Sequence, residues 1–232
     1  MKVGTDSIIL GSWAQYQLKE RVFNSAPRVI DIGCGSGILA IMMAQVFGGE
    51  ADILAFEIDQ KACDQALDNV YNSPWAKSIH VTQCDVTRIS TQATPKSDVI
   101  VCNPPYFEGE NKQTNAFSLL SVERKTARHQ DSLSMEQLLQ FIARSLTSDG
   151  RAFLVVPSEY ASKLKALLND YSLCCNKQLA IRTTPTKVVT RYCLELTKSQ
   201  QATTLSELNI YDENNVYTDS FRALCRAFYL KF

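Results

Sequence analysis

The sequence predicts an α/β fold in which a mostly parallel sheet is covered by helices on both faces. Three observations carry this. Apolar segments switch repeatedly between short strand-like runs and longer stretches with helical spacing. A glycine-rich turn joins the first strand to the first long helix, and acidic residues recur where successive strands end. Such βαβ alternation favours parallel strands, because each crossover helix packs back onto the sheet.

The elements follow in order. Residues 28–33 (RVIDIG) read as a buried strand, and 36–47 as an apolar-faced helix. Residues 51–57 form a second strand, and 59–72 a helix with Asp59 at its N-cap. Two further strands fall at 78–83 and 98–102. Residues 134–146 make a helix that Ser134 caps, with Gln137 at the capping-box position. A strand at 151–156 and a helix at 158–171 come next. Prolines and threonines between Arg182 and Arg191 suit a turn between two late strands. No repeat or low-complexity linker interrupts the chain, so residues 1–232 read as one domain. The stretch 107–131 is polar, charged and poorly periodic, which suits a functional loop.

Composition narrows the classes. Lys+Arg and Asp+Glu number 24 each, so any nucleic-acid surface must be local. The eight cysteines include no C-x-x-C spacing, and only His80 and His129 could add imidazoles. The expectation is reduced thiols, no metal and a cytoplasmic setting. No apolar run approaches the roughly 20 residues that cross a bilayer, and the N-terminus lacks a secretory pattern. A monomer is favoured.

The turn Asp31-Ile32-Gly33-Cys34-Gly35-Ser36-Gly37 lets backbone N–H groups approach a bound cofactor. A dinucleotide-binding turn would be G-x-G-x-x-G, and Ile38 stands where the third glycine belongs. The pattern D-x-G-x-G-x-G resembles the methyltransferase turn instead. Glu57, at the end of the second strand, is placed to accept from both hydroxyls of a ribose. Asp85, followed by Val86 at the end of the third strand, is placed to accept from an adenine amine. Asp31, Gly33, Gly35, Gly37, Glu57, Asp85 and Val86 are the candidate cofactor residues, with S-adenosyl-L-methionine as the cofactor.

Asn103-Pro104-Pro105-Tyr106 follows the fourth strand without a break. Two prolines could simply end a strand. That leaves the flanking Asn and Tyr unaccounted for. A planar NH2 group has its lone pair drawn into the adjoining π system and is a poor nucleophile. The Asn103 side-chain oxygen and the Pro104 carbonyl could accept both of its N–H bonds, fixing the direction of the developing lone pair. Tyr106 could stack on the planar group. All four residues are candidate catalytic groups, and Asn103 also borders the cofactor. His129 could be a base, although a surface or loop-anchoring role suits it equally.

The tetrapeptide alone leaves the NH2 groups of adenine, cytosine and glutamine open, and a close variant serves some guanine-N2 enzymes. Lys2-Val3-Gly4-Thr5-Asp6 with Ile8-Ile9-Leu10-Gly11-Ser12-Trp13-Ala14 resembles the bacterial tRNA1(Val) (adenine-37-N6)-methyltransferase family. The likeness continues through D-I-G-C-G-S-G-I-L-A, F-E-I-D at 56–59, N-P-P-Y-F at 103–107 and A-R-H at 127–129. It returns in Tyr211-Asp212-Glu213-Asn214, Tyr217-Thr218 and Phe228-Tyr229-Leu230-Lys231-Phe232. The resemblance implies a Rossmann-like class I methyltransferase fold with a mostly parallel seven-stranded sheet. It implies a valine tRNA as partner, with the adenine beside the anticodon flipped into the pocket. By the same analogy Lys2 and Thr5 lie near the methionine end of the cofactor. Tyr106, Phe107, Lys112, Arg124 and Arg128 are then candidate substrate contacts, and Lys125, Arg182, Lys187 and Arg191 add local charge. The family carries about twenty residues ahead of K-V-G-T-D, a segment expected to be missing here. Two rival readings are a protein glutamine-N5 methyltransferase and a non-catalytic cofactor- or RNA-binding module.

Overall fold

A computed structural model describes residues 4–104 and 133–229. Helix α1 (Thr5–Leu18) precedes the alternating core of β1 (Arg28–Ile32), α2 (Ile38–Val46), β2 (Asp52–Glu57), α3 (Gln60–Tyr71), β3 (Ile79–Gln83) and β4 (Ser97–Cys102). Then come α4 (Met135–Ser145), β5 (Leu146–Pro157), α5 (Ser158–Leu167), β6 (Cys174–Arg182), β7 (Val189–Thr197), β8 (Thr204–Asn209) and α6 (Asp219–Cys225). The expected caps form: Asp59 accepts from Ala62 N at 2.9 Å, and Ser134 and Gln137 close a reciprocal capping box.

Among the described residues the sheet has eight strands in the order β3-β2-β1-β4-β5-β7-β6-β8. β7 alone runs against its neighbours, pairing antiparallel with β5 and β6. The expectation of seven strands is one short, because β8 adds a parallel edge beside β6 from Lys177↔Thr204 to Arg182↔Asn209. Its sequence TLSELN is short and mostly exposed, so it carries little strand-like alternation. The chain works outward from β1 to β3 and then returns to β4 on the other side of β1. This reversal opens a crevice at the carboxyl ends of β1 and β4, where open α/β sheets hold ligands.

Both faces are packed. On one, α1, α2, α3 and α6 bury Ile9, Leu10, Trp13, Met43 and Phe221, with Trp13 edge-on to Phe153 of β5 at 5.8 Å. On the other, α4 and α5 bury Leu138, Phe141, Ile142 and Leu164. Helix α1 is absent from the sequence reading because it is enclosed on nearly every side, with Ser7 through Ala14 all buried. A helix without a polar face has no amphipathic signature. Gly11 belongs to this packing, since a Cβ there would collide with the Met42 side chain of α2.

Candidate active site

The site is built at the carboxyl rim of β1, β2 and β4. β1 ends in Asp31 and Ile32, and the chain then turns through Gly33, Gly35 and Gly37, with φ of 67°, 56° and 77°. Side chains rarely tolerate this left-handed region, so the glycines are needed for the turn itself. Gly37 N donates to Cys34 O at 2.8 Å, closing the turn, and Cys34 N donates to Phe56 O at 3.0 Å, tying it to β2. A Cβ built on Gly33 would meet nothing within 4 Å, so the turn faces open space there.

Asp31 is completely buried. Its Oδ2 accepts from Ala40 N at 3.0 Å in the first turn of α2, while Oδ1 is buried without a partner among the described residues. Burial raises its pKa to about 7; Glu57 adds to the rise and the Ala40 N–H opposes it. A buried acceptor beside a second carboxylate suits a cationic ligand group. Glu57, also buried, accepts from Gly35 N at 2.8 Å through Oε2, and from Ile58 N and Asp59 N at 2.9 and 3.0 Å through Oε1. Its carboxylate therefore links the end of β2 to the glycine turn. With about four lone-pair directions in all, it keeps acceptor capacity for a hydroxyl.

Asp85 follows β3, and Cys84 N donates to Glu57 O at 2.7 Å to bring the two strand ends together. The Asp85 Oδ1 accepts from the Thr87 backbone N–H at 2.9 Å and hydroxyl at 2.6 Å, and Oδ2 pairs with the exposed Arg88 at 3.1 Å. Val86 is buried against the α4 face, and its carbonyl accepts from Arg144 Nη2 at 2.9 Å.

β4 delivers Asn103 and Pro104 directly beside the end of β1, with Ile32 in register with Cys102. The Asn103 Nδ2 donates to the Ser7 hydroxyl of α1 at 2.9 Å. One amide donor is thereby engaged within the protein, and Oδ1 is left as the acceptor the side chain can offer. Sequence reasoning missed Ser7, which lies 96 positions away from Asn103. The Thr5 side chain hydrogen-bonds the Tyr229 phenol at the other end of the chain. Lys2, Pro105, Tyr106, Phe107, Lys112, Arg124, Lys125, Arg128 and His129 lie outside the described residues. Of the later cations, Arg182 pairs with Glu207 at 2.7 Å and Arg191 with Asp6 at 3.0 Å, while Lys187 is exposed on the β6–β7 turn. Both arginines therefore have partners within the protein.

All eight cysteines are unpaired. Among the described residues no group of three or more His, Cys, Asp or Glu could hold a metal, and no helix is long and apolar enough to cross a membrane.

Residues 16–131 match the methyltransferase small domain family. The fold is shared with solved methyltransferases. A predicted O-methyltransferase from Agrobacterium tumefaciens superposes with a TM-score of 0.67 at 16% identity, covering 96% of each chain. TrmN from Thermus thermophilus superposes at 0.54 with 20% identity, covering 81% of this chain and 48% of that one. Sequence relatives are much nearer. The tRNA1(Val) (adenine(37)-N6)-methyltransferase of Bacteroides thetaiotaomicron is 36% identical over 99% of this chain and 91% of its own. Its counterpart in Mannheimia succiniciproducens is 38% identical over 100% and 89%. Full-length similarity at this level, on a Rossmann-like sheet with the glycine turn and Asn103 at adjacent strand ends, makes the chain an S-adenosylmethionine-dependent methyltransferase belonging to the tRNA1(Val) (adenine(37)-N6)-methyltransferase family.

Proposed function

We propose that this enzyme methylates N6 of adenine 37, beside the anticodon, in a valine tRNA. The observation that carries the proposal is Asn103, held by Ser7 through its NH2 group at the end of β4, next to the glycine turn on β1. The residues present suit S-adenosylmethionine: an open cradle at Gly33, a buried carboxylate with a spare acceptor in Asp31, and a second carboxylate in Glu57. When bound, the cofactor supplies a methyl group on a positively charged sulfur, already activated for displacement.

The protein's own work is alignment. Gly33, Gly35 and Gly37 admit the cofactor close to the backbone, Glu57 accepts from a ribose hydroxyl with its remaining lone pair, and Asp31 offers negative charge to a cationic end. Asp85 and Val86 border the adenine, and Lys2 and Thr5 the methionine end. Asn103 Oδ1 and the Pro104 carbonyl accept the two N–H bonds of the substrate adenine, turning its nitrogen lone pair toward the methyl carbon. Pro105 stiffens this turn, and Tyr106 stacks on the flipped base. Phe107, Lys112, Arg124 and Arg128 contact the RNA, with the cations neutralising phosphates. No strong base is required, because the methylated nitrogen becomes acidic and gives up its proton to solvent. The same reading places the enzyme in the cytoplasm as a monomer.

The choice of adenine 37 and of a valine tRNA rests on the names of the relatives at 36–38% identity. Labelled methyl transfer to total tRNA from a strain lacking the gene, followed by nucleoside mass spectrometry of each isoacceptor, tests it. N6-methyladenosine at position 37 of one valine tRNA is the expected product. Label found only in protein would point to a glutamine amide and overturn the proposal.

A further inference from the structure

We propose that Ser7 is a positioning residue for the methyl transfer: its hydroxyl holds the Asn103 amide with the carbonyl oxygen turned toward the substrate. This rests on the reading that Asn103 accepts from the adenine NH2. An asparagine amide is nearly symmetric in shape but opposite in function at its two ends, one acceptor against two donors. Rotated by half a turn, Asn103 would set its own NH2 against the substrate's, donor facing donor. The 2.9 Å contact from Asn103 Nδ2 to Ser7 Oγ gives the NH2 end a partner inside the protein. Only in that orientation do both ends of the amide find complementary groups once the adenine is bound.

Ser7 is itself held firmly. It occupies the first turn of α1 and is 8% exposed. Three consecutive side chains of that turn reach three different parts of the fold. Thr5 bonds Tyr229 near the end of the chain, Asp6 accepts from Arg191 Nε of β7 at 3.0 Å, and Ser7 meets Asn103 after β4. A group anchored on a helix fixed at several points locates its partner more narrowly than one on a loop.

The test compares Ser7→Ala and Ser7→Thr with the full-length enzyme, using single-turnover methyl transfer to unmodified tRNA and separate calorimetry of S-adenosylmethionine binding. For Ser7→Ala the transfer rate should fall by about tenfold or more, because small misplacements of aligned groups are costly. Cofactor affinity should stay within about twofold, since the lost contact acts on the reacting nitrogen rather than on ground-state binding. Ser7→Thr, which restores the hydroxyl, should recover most of the rate. A Ser7→Ala rate close to wild type, or a Ser7→Thr enzyme as slow as Ser7→Ala, would overturn the inference. Failure of the underlying reading looks different: Asn103→Ala would then remain active.

Discussion

Glu57 Oε2 accepts the Gly35 amide hydrogen at 2.8 Å, joining two strand ends that lie 22 residues apart in sequence. The other carboxylate oxygen takes the N–H groups of Ile58 and Asp59 as the chain enters α3. One side chain thus shapes the glycine turn and is the candidate acceptor for the ribose. Glu57→Ala leaves three amide donors without this partner, and the buried one, the Gly35 N–H, costs about 1–3 kcal/mol where water cannot substitute. Cofactor affinity should fall by at least about tenfold, a loss of roughly 1.4 kcal/mol. Glu57→Gln, which keeps one carbonyl oxygen, should fall between. Calorimetric titration with S-adenosylmethionine measures both; unchanged affinity in Glu57→Ala would remove Glu57 from the ribose site.

The glycines separate backbone strain from ligand space. Gly33 and Gly37 both have left-handed φ, and alanine at either costs about 1–2 kcal/mol in strain. Their surroundings differ. A Cβ at Gly37 would press on the Ala66 Cβ of α3 at 3.3 Å, whereas one at Gly33 projects into open space. Gly37→Ala should therefore lower the melting temperature more than Gly33→Ala does. Gly33→Ala should lose cofactor affinity out of proportion to its smaller effect on stability. Wild-type affinity in Gly33→Ala would mean that the cofactor does not lie against that turn.

Asn103→Ala should separate binding from chemistry. The substitution removes the acceptor for the substrate NH2 and leaves the glycine turn, Glu57 and Asp31 in place. Loss of one donor or acceptor aimed at a transition state typically costs about 10²–10³ in rate. Cofactor binding by calorimetry should be largely retained while turnover on tRNA falls by about that range. An enzyme that stays fully active would refute the two-acceptor mechanism.

How far these features were legible in the sequence follows from the range of the interactions behind them. Asp59, Ser134 and Gln137 cap helices through contacts spanning three residues, so adjacent sequence is enough to find them. Asp31, Glu57, Asp85 and Asn103 could be placed on one rim because each ends or follows a strand, and parallel strands share a direction. What those groups touch was not legible. Asp85, read as an acceptor for an adenine amine, also accepts from Thr87 and pairs with Arg88, contacts that strand position does not reveal. Ser7 gave no signal, because its partner lies far along the chain and its helix has no polar face to reveal it. Arg191, counted among the later local charges, pairs with Asp6, a contact spanning 185 positions.

Asp31 predicts a pH dependence of opposite sign for folding and for binding. Its pKa in the folded protein is about 7 against an ordinary value of 3.8, so the folded chain retains a proton that the unfolded chain releases near 4. The resulting stabilisation is complete below 3.8 and is lost as pH rises through about 7. A cofactor carrying sulfonium and ammonium charge prefers the ionised carboxylate, so binding below pH 7 must expel that proton. Affinity should then increase by up to about tenfold per pH unit below 7 and level off above it. Asp31→Asn keeps an acceptor for Ala40 N but cannot ionise. It should bind more weakly at pH 8 and flatten the profile between pH 6 and 8. Titrations in buffers of different ionisation enthalpy would count the released proton directly. A wild-type profile in Asp31→Asn would assign the titration to another group.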